Sequence, residues 1–87
     1  MTKEEFKGRL ISVVKEYIRD EEGYDDNAQL CIKPATMDAY LADSREVDVE
    51  SPDIECYDVM ELVEMNPEGK WKVDEASVEA VAEEYFK

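Results

Sequence analysis

Residues 2–18 constrain the fold more than any other stretch of the chain. Thr2 followed by Glu5 is a capping box, in which a hydroxyl and a carboxylate each satisfy a free N–H of the first helical turn. Phe6, Leu10, Val13, Val14 and Tyr17 then recur at helical spacing, and Ile11 and Ile18 widen the stripe. Lys7, Arg9, Lys15 and Glu16 fall largely outside it. Gly8 is a weak point, worth about 1 kcal/mol against Ala, and reads as a place of close packing. Gly23, after Asp20-Glu21-Glu22, is a natural stop. The spacing predicts a helix from about Lys3 to Glu21. A one-sided helix of that length has to be covered. With 87 residues in all there is room for one covering layer and for a single domain, 1–87.

The covering layer is read from the next segments. Ala28, Leu30 and Ile32 alternate with Gln29, Cys31 and Lys33, a period-two strand with one face inward. Met37, Ala39 and Leu41 alternate with Thr36, Asp38, Tyr40 and Ala42, which predicts a second strand over 36–42, with helix as the rival because Ala, Met and Leu favour it. The short Pro34-Ala35 link favours an antiparallel hairpin. Residues 44–55 read either as a short third strand around Val47 and Val49 or as a long acidic loop. Asp58 and Glu61 repeat the capping logic ahead of Val59, Met60, Leu62 and Val63, which predicts a helix of about two turns. Asn66-Pro67-Glu68-Gly69 is a turn by composition, and Trp71 to Val73 a brief extended piece. Asp74 caps a last helix with Val78, Val81, Ala82 and Tyr85 on one face. The expected fold class is α+β: a long N-terminal helix, a small antiparallel β-hairpin or sheet, and two shorter C-terminal helices. Its core would use Phe6, Leu10, Val14, Ile18, Leu30, Ile32, Leu41, Leu62, Trp71, Val78 and Val81, with Trp71 as a lid over the last helix.

Composition narrows the functions. The chain has 10 Lys+Arg, 24 Asp+Glu and no His, for a net charge of −14. The missing His removes the usual general base and the commonest metal ligand. The charge disfavours direct contact with nucleic acid or with an anionic membrane. No apolar run follows the first charges as a signal peptide requires, and Leu10–Val14 is too short to span a bilayer. Cys31 and Cys56 lie 25 residues apart with no CxxC and no His, so they read as two reduced, mostly buried, slowly reacting thiols of a cytoplasmic protein.

The charge is uneven. Residues 1–19 carry a net +2, residues 20–68 a net −14 and residues 69–87 a net −2. The candidate interaction face is therefore acidic: Glu46, Asp48, Glu50, Asp53, Glu55, Asp58, Glu61, Glu64 and Glu68. The last four recur at i+3 and i+4 spacing and would share a helix face. Such a surface either keeps a small protein in solution or docks a basic protein surface.

Motifs for chemistry fall short. There is no GxSxG, P-loop or GxGxxG, and neither cysteine has a His to activate it. Glu64, Asn66, Glu68, Gly69 and Glu75 match positions 1, 3, 5, 6 and 12 of an EF-hand loop. Glu at positions 1 and 5, Pro67 at 4 and Trp71 at 8 spoil the match, and a plain turn between two helices explains the same residues. No catalytic, cofactor-binding or metal-ligating residue is assigned. In size and charge the chain is similar to small acidic α+β proteins of bacteria and phages, a similarity that transfers no residue's role. The expectation is a non-enzymatic cytoplasmic protein–protein interaction module using its acidic face. The alternative is a nucleic-acid-mimicking inhibitor of a DNA- or RNA-binding protein, and a calcium-responsive helix pair comes third. Neither the partner nor the oligomeric state is legible.

Overall fold

The computed structural model describes residues 1–20, 27–48 and 50–86. Helix α1 runs Lys3–Asp20. The Thr2/Glu5 capping box forms as expected: Glu5 N–H donates to Thr2 Oγ1 at 3.1 Å and Thr2 N–H to Glu5 Oε1 at 3.2 Å. The helix end expected at Glu21, the stop at Gly23 and most of the connection at 24–27 lie outside the described residues, as does Val49. Gly8 is exposed, and a Cβ built on it meets nothing within 4 Å, so close packing is not its reason.

The hairpin follows. Strand β1 (Ala28–Lys33) pairs antiparallel with β2 (Asp38–Asp43), from Lys33↔Asp38 to Ala28↔Asp43. The turn between them takes four residues, Pro34 to Met37, with both Thr36 N–H and Met37 N–H on Lys33 O and Met37 at φ 62°. The rival helix over 36–42 is thereby excluded. The third strand is not at Val47 and Val49. Among the described residues 44–54 no strand forms, and β3 is Glu55–Asp58. It pairs with the other edge of β1, antiparallel, with Cys31 opposite Cys56. Alternation fails to mark β3 because it is a short edge strand with charged ends, held by its register on β1. The sheet order is β2-β1-β3. Both outer strands run against β1 and hence parallel to each other, so residues 44–54 carry the chain back along the sheet and across β1.

Residues Val59–Leu62 make one 3-10 turn, not a two-turn helix, and Val63–Met65 continue as strand β4. Asp58 does cap it, accepting from Met60 N–H at 3.0 Å. The turn stops after four residues because Val63 pairs across to Val73 of β5 (Trp71–Val73). Tertiary pairing overrides the local helical signal. Among the described residues there are thus five strands and two α-helices, one toward each end. Helix α2 is Glu75–Tyr85, capped by Asp74, which accepts from Ser77 N–H and Ser77 Oγ–H.

Alternation assigns the sheet faces. Ala28, Leu30 and Ile32 share the inner face with Ala39, Leu41 and Tyr57, under α1, α2 and the 3-10 turn. Gln29, Cys31 and Lys33 share the outer face with Tyr40, Ala42, Cys56 and Asp58. The inner core holds Phe6, Leu10, Val14, Leu30, Ile32, Leu62, Val78 and Val81 as expected, and adds Val13, Tyr17, Ala28, Ala39, Val59, Val63 and Ala82. Ile18, near the end of α1, and Leu41, on the edge strand β2, are only partly buried, and Trp71 is not in the core. The helices meet through Phe6, whose ring lies 5.4 Å from that of Tyr85 and 5.7 Å from that of Phe86, with Lys3 and Lys7 on Glu79 outside. The Cα atoms span 16 Å along the thinnest axis.

Candidate functional site

The β4–β5 hairpin is built from a tight turn outward. Asn66 N–H donates to Lys70 O at 2.8 Å, and Gly69 N–H to Asn66 O at 2.9 Å. Asn66 Oδ1 accepts from Glu68 N–H and Lys70 N–H, each at 3.0 Å. Pro67 and Glu68 fill the centre of the turn, and Gly69 takes the left-handed position at φ 81°. The arms are only three residues long. Val63↔Val73 and Met65↔Trp71 are cross-strand pairs on one face, and Glu64↔Lys72 is the pair on the other, joined by a 3.1 Å ion pair.

Only the base of the apolar face is covered. Val63 is buried and Val73 packs against the core. One pair further out, Met65 is 55% and Trp71 37% exposed. The chain's one Trp is therefore part of an apolar tip rather than a lid over α2. Aromatic bulk favours the core in a sequence reading. The missing clue is arm length, since strands this short cannot keep both pairs over the core. Beside β5, Ile11, Lys15, Lys72, Val73 and Glu75 line an open recess of about 240 Å³, below the usual size of a small-molecule pocket, ~300 Å³ and up.

The nine acidic candidates sit on different elements. Glu46, Asp48, Glu50 and Asp53 lie on the connection from β2 to β3. Glu55 and Asp58 are on β3 but on opposite faces, Glu55 toward Tyr85 and Asp58 engaged as a cap. Glu61 is in the 3-10 turn, Glu64 on β4 and Glu68 at the hairpin tip. Asp58, Glu61, Glu64 and Glu68 do not share a helix face, because residues 58–68 hold a single 3-10 turn and a strand. For the same reason residues 59–75 are not the helix–loop–helix of an EF-hand: positions 64–73 are a β-hairpin. Among the described residues, Glu64 is the only one of the nine in an ion pair. Three further bases pair within the scaffold: Lys3 and Lys7 on Glu79, and Arg45 on Asp43, whose guanidinium draws the Asp43 carboxyl down to about 2.

One further polar cluster joins the layers. Tyr57 Oη–H donates to Glu84 Oε2 at 2.9 Å, and its oxygen lies 3.2 Å from Tyr85 Oη. Burial pushes both hydroxyls above the ordinary tyrosine range, so they stay neutral and serve as pins between β3 and α2. Among the described residues no group of three His, Cys, Asp or Glu is arranged to hold a metal ion, and no helix is long and apolar enough to cross a membrane. No family model, curated protein or solved structure matches the chain.

Proposed function

We propose that the chain is a non-enzymatic protein-binding module whose contact surface is the β4–β5 hairpin and the carboxylates beside it. The observation that carries this reading is the exposure of Met65 and Trp71 as cross-strand partners at the hairpin end. A Trp set among charges is the composition of a binding hot spot, an apolar anchor within a polar rim. Glu61, Glu64 and Glu68 stand within four residues of Met65 in sequence, and the surplus of negative charge selects the partner's sign. The partner is therefore a basic protein segment in which Lys or Arg flank an apolar side chain. The protein acts in the cytoplasm in this reading.

A random peptide library selected on the immobilised protein tests it. Enrichment of peptides with an apolar residue between basic ones is expected. Trp71 emission should shift to the blue on binding, and Trp71→Ala should weaken the selected peptides by ~30-fold or more. If the enriched peptides carry charge alone and bind Trp71→Ala equally, the anchor reading fails. Mimicry of a nucleic-acid backbone, which needs only the carboxylates, then takes its place. If nothing is enriched over a Glu61/Glu64/Glu68→Gln variant, neither binding reading stands and the charge serves solubility.

A further inference from the structure

The outer face of the three-stranded sheet carries a feature independent of the hairpin. Cys31 and Cys56 are direct register partners on β1 and β3, and their Sγ atoms lie 3.2 Å apart. Both are free thiols. Antiparallel partners have Cα atoms ~4.5 or ~5.5 Å apart, and both spacings fall within the range a disulfide spans, ~4.4–6.8 Å. The sulfurs need to approach by about 1.2 Å to reach bonding distance. Side-chain rotation supplies that on strands already in register.

We propose that Cys31 and Cys56 form a redox-closable pair, converted by hydrogen peroxide into a cross-strand disulfide that fastens β3 to β1. The two thiols divide the work by their surroundings. Cys31 has no exposed surface, and Cys56 is partly exposed. Burial pushes the Cys31 thiol up to about 12, so it does not begin the reaction. The partly exposed Cys56 sulfur attacks one peroxide oxygen. The O–O bond breaks, leaving Cys56 as sulfenic acid and releasing hydroxide, which takes up the proton Cys56 gave up and becomes water. Cys31 sulfur then attacks the sulfenic sulfur. The S–S bond forms, the S–O bond breaks, and the departing hydroxide takes the Cys31 proton to leave as water. Two thiols lose two electrons together, and one peroxide is reduced to two waters.

The consequence is local. β3 has one strand neighbour, β1, and its inner face is pinned to α2 through Tyr57. The bond would close a loop whose ends are 25 residues apart and remove chain entropy from the unfolded state.

Purified protein titrated with hydrogen peroxide under native conditions tests the proposal by intact mass, thiol count in denaturant and melting temperature. The expected product is a monomer lighter by about 2 Da, with both thiols lost together, restored by dithiothreitol, and melting roughly 10–20 °C higher. Cys31→Ala should instead hold a sulfenic acid at Cys56 that dimedone traps, while Cys56→Ala should leave Cys31 unmodified. Mass gain by oxygen at Cys56 in the wild type, an intermolecular dimer, or two thiols intact after excess peroxide would each overturn the proposal. The wild-type mass alone decides it if either variant fails to fold.

Discussion

Cys31 shows how one side chain sets a pH limit. In the fold its thiol holds its proton up to about 12, against an ordinary value of 9.0. A raised pKa contributes stability that is fully present below the unfolded value and is lost as pH rises through the folded one. Between pH 9 and 12 the unfolded chain ionises at this position and the folded chain does not. The wild type should therefore exceed Cys31→Ala by about 1–2 kcal/mol at pH 8, and that margin should shrink by pH 11. Urea midpoints of both proteins at the two pH values check this, with Tyr57 and Tyr85 common to both. The residue also marks a limit of sequence reading. Alternation put Cys31 on the polar face of β1, and it does lie there, fully buried. What covers it and what it touches depend on the register of β1 with β3, a strand without an apolar pattern of its own. Two cysteines 25 residues apart carry no sign that they meet.

At the level of elements, legibility followed the number of periods. α1 spans several helical turns, and its cap, stripe and start were all readable. α2 and the pairing of β1 with β2 were readable for the same reason. Residues 58–65 offer a capping pair and one apolar cluster, which fits a helix as well as it fits a turn leading into a strand, and pairing with 71–73 decides. The two glycines of the described elements draw the contrast as an experiment. Gly8 sits exposed in the helix with open space at its Cβ position, whereas Gly69 holds φ 81° in the hairpin turn with equally open space. The same substitution should have opposite signs. Gly8→Ala should stabilise the protein by about 0.5–1 kcal/mol through helix propensity. Gly69→Ala should destabilise it by about 1 kcal/mol through the left-handed backbone. Equilibrium unfolding of both variants measures this, and Trp71 emission reports whether the Gly69 change is felt in the hairpin.

For the molecule as a whole, shape and charge act together. A net charge of −14 is carried by a body whose Cα atoms span only 16 Å along its thin axis. At ~0.01 M salt the Debye length, ~30 Å, exceeds that thickness, so carboxylates on opposite faces repel through the molecule; at ~0.15 M it is ~8 Å and they do not. Salt also weakens the Lys3 and Lys7 pairs with Glu79, but these are few, surface-lying and individually worth little. The melting temperature should rise by roughly 5 °C between those conditions, as thermal scans across a sodium chloride series would read. A flat or falling series would mean that the surplus charge is locally compensated. The sheet order adds a consequence in time. β1 and β2 are joined by a four-residue turn and can zip together within microseconds. β3 is separated from β2 by the longer connection, residues 44–54, so its pairing with β1 costs more loop-closure entropy than the pairing of β1 with β2. The strand of this sheet with the longer loop to close is thus the one that holds both a hydroxyl pin to α2 and a sulfur facing Cys31. Joining those sulfurs would make a covalent bond of the strand pairing whose loop is the more costly to close.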